Sequence, residues 1–203
     1  MKYGTVVFDF GQVIGEFTKY DFASLFKLSD EDTELLKKVF FDRYHWDLLD
    51  RGAISDDEVK QIFHEKLPKR LHETADRFYD TWICVTPVVD GMDKLIKDLK
   101  ADGVKLYLLS NFSEQFAKHY TDSPIFSELL GLFDGLVISG TIKTVKPSRE
   151  IFEYTVNKYG LKPSECLFVD DNEKNIAAGR EAGFATYLFD GDSALLRSFI
   201  YGE

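Results

Sequence analysis

The sequence predicts an α/β protein: a parallel sheet covered by helices, with a block of helices inserted after the first strand. Three observations predict it. Short β-branched and aromatic runs alternate with longer helical periods over most of the chain. From about Phe17 to Ile83 the alternation stops and only helical periods are found. The chain has 203 residues, 44% of them hydrophobic and 15% aromatic, which is enough for a substantial core without disulfides and far from the composition of a disordered chain.

The first strand is read at Thr5 to Phe8. A helix then follows Ser29-Asp30, with Leu35, Leu36, Val39 and Phe40 as its apolar stripe. A second carries Val59, Ile62, Phe63 and Leu67 and opens on Ser55 with Glu58 three residues later, the pattern of a capping box. These helices define an insert over 17–85, with hinges expected near Gly15 to Thr18 and Cys84 to Val88, between the two parts of a core at 1–16 and 86–203. In that core Met92, Leu95, Ile96 and Leu99 recur at i, i+3, i+4 and i+7, and Phe152, Val156 and Tyr159 share a helical face. Gly103 and Gly160 stand ready as left-handed helix ends. The remaining strands are read at Lys105 to Leu109, Leu136 to Ser139, Leu167 to Val169 and Thr186 to Phe189.

Charge narrows the partners. With 25 basic and 35 acidic residues the net charge is −10, and no basic stripe exists to follow a phosphate backbone, so nucleic acid and anionic membrane surfaces are not expected partners. No apolar run approaches the length of a membrane span, and the first residues do not read as a signal peptide. Cys84 and Cys166 lack metal-type spacing and read as reduced thiols, the second in a buried strand. A cytoplasmic protein is expected, of unknown oligomeric state.

Ligands of such folds lie outside the carboxyl ends of the strands. There the sequence places Asp9-Phe10-Gly11-Gln12-Val13, then Ser110-Asn111, then Lys146-Pro147 in the loop after Ser139, then Asp170-Asp171-Asn172. A carboxylate, a hydroxyl, an ammonium group and a carboxylate pair converge on one edge. Each has a blander reading: Ser110-Asn111 as the cap of a helix beginning near Ser113, Pro147 at a helix start, Asp170-Asp171 capping a helix from Glu173.

These four motifs, in this order, resemble the haloacid dehalogenase-like superfamily over essentially the whole chain, with the insert where that family carries an α-helical cap. The resemblance implies a Rossmann-like three-layer core. Phe8-Asp9-Phe10-Gly11-Gln12, Arg51-Gly52-Ala53-Ile54-Ser55, Leu109-Ser110-Asn111 and Phe168-Val169-Asp170-Asp171-Asn172 look like a bacterial group of sugar-phosphate phosphatases that includes α-glucose-1-phosphate phosphatase. It implies a nucleophilic Asp9, phosphate binding by Ser110, Asn111 and Lys146, and Mg²⁺ held by Asp9, the Gly11 carbonyl, Asp170 and Asp171. The chemistry agrees: three gathered carboxylates repel unless a cation joins them, and an all-oxygen site with a phosphate partner suits Mg²⁺. The expected activity is hydrolysis of a small phosphorylated metabolite through an aspartyl-phosphate.

One position departs from the family's pattern. Most of its phosphatases carry a second Asp two residues after the nucleophile as acid–base, and here Gly11 stands there, so that help, worth about 10²–10⁴-fold, is lost or relocated. Glu16 is one candidate substitute. Two rivals follow: a metal-independent dehalogenase, opposed by the Asp170-Asp171 pair, and a phosphate-binding or regulatory module, opposed by the survival of Asp9, Lys146 and Asp170 together. In the insert, Arg43, His45, Trp46 and Arg51 are expected between two helices, within reach of a substrate, while His64, His72 and His119 read as solvated. Acidic runs at Asp30-Glu31-Asp32 and Asp56-Asp57-Glu58 read as first helical turns.

Overall fold

The computed structural model describes residues 2–17 and 25–202. Five strands, β1 Thr5–Phe8, β2 Lys105–Ser110, β3 Gly135–Ile138, β4 Cys166–Asp170 and β5 Ala185–Leu188, form one sheet in the order β3-β2-β1-β4-β5 with every pairing parallel. All five expected runs are strands, their ends moved by one residue or so. Ser139, read as a strand end, instead opens a short helix.

Among the described residues the helices are α1 Asp30–Phe40, α2 Arg43–Asp50, α3 Asp56–Lys66, α4 His72–Val85, α5 Met92–Ala101, α6 Glu114–His119, α7 Pro124–Leu130, α8 Ser139–Ile142, α9 Arg149–Tyr159, α10 Glu173–Glu181 and α11 Ser193–Tyr201. Strand residues alternate between two apolar layers. Val6, Phe8, Leu106, Leu108, Leu167 and Val169 join one cluster with α5 and α11. Val7, Leu109, Val137 and Phe168 face Ile151, Phe152 and Ile176 of α9 and α10 in the other. That is the three-layer arrangement the resemblance implies.

The capping box is formed, with Ser55 Oγ accepting the Glu58 N–H and Glu58 accepting the Ser55 N–H. Ser29 caps α1 through the Asp32 N–H. The segment read as lying between two helices is itself helical. Asp42 accepts the Tyr44 N–H at its start, Arg43 pairs with Asp47 one turn on, and His45 and Leu49 bury one side, so four-residue spacing makes α2 a helix in spite of its polar composition. Pro147 precedes rather than starts α9, whose N-cap is Ser148, and the Lys146–Pro147 bond is cis.

Residues 18–24 of the insert, including Thr18 of its first hinge, lie outside the described residues. At the second hinge the chain returns beside the first: Glu16 N–H donates to Pro87 O at 2.8 Å and Val89 N–H to Ile14 O at 2.9 Å. An aromatic side chain of α4 joins the insert to the sheet's carboxyl edge. Trp82 stacks on Phe112 at 5.5 Å between centroids and on Phe116 at 6.2 Å. Gln115 fastens the same junction, accepting from Trp82 Nε1 and donating to Tyr79 O. Among the described residues no helix is long and apolar enough to cross a membrane.

Candidate active site

The chain winds outward from β1 in two directions, to β2 and β3 on one side and to β4 and β5 on the other, so the point of reversal lies at the carboxyl end of β1. Asp9 stands there, its N–H bonded to Val169 O at 2.9 Å. Register sets its neighbours: Phe8 pairs with Val169 on β4 and Leu108 on β2, which brings Asp170 and Ser110 alongside.

The contacts are short. Ser110 Oγ donates to Asp9 Oδ1 at 2.8 Å, and Lys146 Nζ lies 2.9 Å from the same oxygen and 2.6 Å from Asp170 Oδ2. Lys146 and Asp170 are buried, and Asp9 nearly so. Burial opposes charge on Lys146, but Asp9 and Asp170 outweigh it and its pKa is raised. Burial and the Asp170 charge hold Asp9 above the usual carboxylate range although Lys146 opposes them. Burial, then Asp170, raises Asp171 likewise.

Asp170 accepts from the Asn172 N–H at 2.9 Å and from Asn175 Nδ2 at 3.0 and 3.2 Å. The cap of α10 is Asn172, whose side chain takes the Lys174 N–H; Asp170 and Asp171 are thereby released from the capping role that competed for them. Oxygens of Asp9, Asp170 and Asp171 lie within 4.8 Å of one another. Burial, with the charge of Asp170 added, raises the other two of these carboxyls, and an all-oxygen donor set suits a hard divalent cation, so the residues fit Mg²⁺.

Above this floor is a cavity of about 400 Å³. Asp9, Gly11, Ser110, Asn111 and Asp171 line its base, and Phe40, Arg43, Trp46, Asp50 and Trp82 come from α1, α2 and α4. Arg43 and Trp46 thus reach the cavity as expected. Arg51 does not: it caps the end of α2, exposed and outside the lining. Glu16 is also outside it, its backbone fastened to Pro87. His45 turns into the apolar core, Nε2 on Phe40 O at 2.9 Å, and burial lowers its pKa.

A model for the family of haloacid dehalogenase-like hydrolases matches residues 3–183. The chain belongs to that family. It is 32% identical over 195 residues to a D-ribitol-5-phosphate phosphatase of Bacteroides thetaiotaomicron, covering 90% of this chain and 89% of that one. It is 34% identical over 131 residues to a phosphoglycolate phosphatase of Aquifex aeolicus, covering 64% and 60% of the two chains. Its fold matches a magnesium complex of a haloacid dehalogenase family enzyme from Bacteroides thetaiotaomicron, with TM-score 0.73, 19% identity and full coverage of both chains. It also matches the L-2-haloacid dehalogenase of Xanthobacter autotrophicus, with TM-score 0.65, 16% identity, and 99% and 84% coverage.

Sequence reasoning missed three polar residues of this haloacid dehalogenase-like hydrolase. Asn175 stands one helical turn after Asp170-Asp171, a spacing that signals a partner for the acid. Gln12 lines the cavity and accepts the Phe17 N–H at 2.7 Å. Asp50 carried no signal, because its burial comes from the packing of α2 over the strand ends.

Proposed function

We propose that this hydrolase is a Mg²⁺-dependent phosphatase of a small phosphorylated metabolite, a sugar or sugar-alcohol phosphate, acting through an aspartyl-phosphate on Asp9. The convergence of Asp9, Ser110, Lys146 and Asp170 at the base of the cavity carries the reading: Ser110 and Lys146 both contact Asp9, and Lys146 also contacts Asp170. The D-ribitol-5-phosphate phosphatase relative supports the substrate class.

Asp9 attacks phosphorus in line, giving an acyl phosphate that water then hydrolyses. Ser110 Oγ and the backbone N–H groups of Asn111 and of the loop after Asp9 hold the phosphoryl oxygens. Lys146, gripped between Asp9 and Asp170, balances the charge that gathers there. Asp9, Asp170, Asp171 and the Gly11 carbonyl would hold Mg²⁺, which when bound would neutralise the phosphoryl charge. Residues 17–85 act as a cap: α1, α2 and α4 close the cavity from above and bring Arg43 and Trp46 to the substrate's non-phosphate end.

The clustered carboxylates oppose the dehalogenase reading, since a haloacid would meet three anions with one lysine among them. The test is release of inorganic phosphate from sugar, sugar-alcohol and acyl phosphates and p-nitrophenyl phosphate, with Mg²⁺ or EDTA, for wild type and Asp9→Asn. Metal-dependent release, lost in the variant, is expected. If Mg²⁺ binds and no substrate releases phosphate, the protein is a binding module instead.

A further inference from the structure

An aliphatic alkoxide is a strong base and leaves phosphorus readily only if it is protonated as it departs. Position 11 offers no acid, and a Cβ built there lies 3.1 Å from Cε2 of Phe17, so the aromatic ring crowds the space a side chain would use. Asp9 is the nucleophile, and Asp171 belongs to the cation cluster. Gln12, Asn172 and Asn175 are amides. Arg43 is an ion-pair partner of Asp47 at 2.6 Å and, permanently charged, gives up no proton.

Asp50 is left. It ends α2, is 6% exposed, lines the same cavity as Asp9, and its carboxyl has no hydrogen bond or ion pair among the described residues. Buried polar groups ordinarily have partners, so an unpartnered carboxyl facing a cavity marks a place where a ligand supplies one. In-line attack puts the departing oxygen on the side of phosphorus away from Asp9, toward the wall built by α1, α2 and α4. Asp50 is the carboxyl which that wall presents.

We infer that Asp50 is the general acid–base of this site, standing on the opposite side of the substrate from the nucleophile. The inference rests on the phosphatase reading. As the bond from Asp9 to phosphorus forms and the ester P–O bond breaks, Asp50 gives its proton to the departing alkoxide and becomes a carboxylate. In the second half, water attacks phosphorus, the bond to Asp9 breaks with Asp9 recovering its carboxylate, and the water's proton returns to Asp50. Burial raises the Asp50 pKa to about 7, with Asp47 and Asp9 adding to the shift and Arg43 and Lys146 opposing it, so both protonation states are populated near neutral pH.

The test compares Asp50→Asn with wild type on the best aliphatic sugar or sugar-alcohol phosphate of the panel and on p-nitrophenyl phosphate, whose leaving group needs little protonation. The expected result is a kcat/KM loss of at least ~100-fold on the aliphatic ester and at least tenfold less than that on the aryl ester, because kcat/KM reports the step in which the leaving group departs and not the aspartyl-phosphate hydrolysis that both esters share. Equal losses of kcat/KM on the two, or a change confined to KM, overturn the assignment of Asp50 alone. Wild type releasing no phosphate from any ester overturns the phosphatase reading itself, and this inference with it. Should the variant fail to fold, wild type decides: across alkyl and aryl phosphates a shallow dependence of kcat/KM on leaving-group basicity is expected, and a steep one overturns the inference.

Discussion

Asn111 grips Lys146 by both of its backbone groups: the Asn111 Oδ1 accepts the Lys146 N–H at 2.7 Å, and Nδ2 donates to the Lys146 carbonyl at 2.9 Å. A side-chain amide here does what a neighbouring strand would do for a peptide unit. It fixes a loop residue against the end of β2, and through it the ammonium group that touches both Asp9 and Asp170.

Asn111→Ala leaves a peptide N–H and a carbonyl without partners, at a cost of about 1–3 kcal/mol. For a chain of this size that corresponds to a melting temperature lower by roughly 2–12 °C. Because Lys146 loses its anchor, kcat is expected to fall by at least ~10-fold. Thermal melts and steady-state phosphate release on the same preparation check both; a stability loss with unchanged kcat would show that Lys146 is placed by other contacts.

Lys146→Met is expected to be more damaging. It leaves Asp9 and Asp170 buried with no ammonium between them, and breaking a buried ion pair from one side costs about 3–5 kcal/mol. Turnover should be abolished at the same time. Denaturant melts compared with Asp9→Asn separate the two effects, since that variant removes the nucleophile and one of the two anions together.

Mg²⁺ should stabilise the fold. At a hundredfold excess over its dissociation constant the linkage amounts to about 2.7 kcal/mol, seen as a rise in melting temperature that EDTA reverses. In Asp170→Asn/Asp171→Asn the rise should disappear, because only Asp9 of the clustered carboxylates remains. An undiminished rise in that variant would place the cation elsewhere.

How much of this was legible in the sequence depends on what fixes each feature. Val6, Val7 and Phe8 are fully buried in a strand with neighbours on both sides, so β1 reads as an apolar run whatever packs on it. The gathering of Asp9, Ser110, Lys146 and Asp170 follows from strand ends in a parallel sheet, which the order of motifs conveys. Asp50 is different. Nothing local marks an acid in Asp47-Leu48-Leu49-Asp50 as buried; the packing of α2 decides it. The same packing turns His45 into the core and leaves Arg51 outside, a difference of a few helical positions in a segment whose helical nature rests on Asp42 and two buried side chains.

Gly52 is expected to tolerate no side chain. Its φ is +60°, and a Cβ there would lie 2.7 Å from Gly140 O, a backbone atom that cannot swing away. Gly52→Ala should therefore cost about 1–3 kcal/mol. Gly52 also sets the path of the chain just after Asp50, so the aliphatic phosphatase rate should fall along with the melting temperature. A wild-type melt in this variant would mean that α2 and α8 can separate without loss.

Asp50 gives stability a pH dependence whose sign can be worked out. Its pKa in the folded chain is about 7, raised by burial from an ordinary 3.8; Asp47 and Asp9 push it further up, and Arg43 and Lys146 push it down. The folded state therefore holds a proton that the unfolded chain has already released between those two values. The stability this proton confers is complete below about 3.8 and is lost as pH rises through 7, with a total of the order of a few kcal/mol. In Asp50→Asn the amide cannot ionise, so that component vanishes. Melts from pH 4 to 8 without Mg²⁺ should show the stability of the variant relative to wild type growing with pH and levelling off above 7. A constant difference across that range would mean that Asp50 ionises normally in the folded protein, and would remove the reservoir of protons its place in the cavity provides.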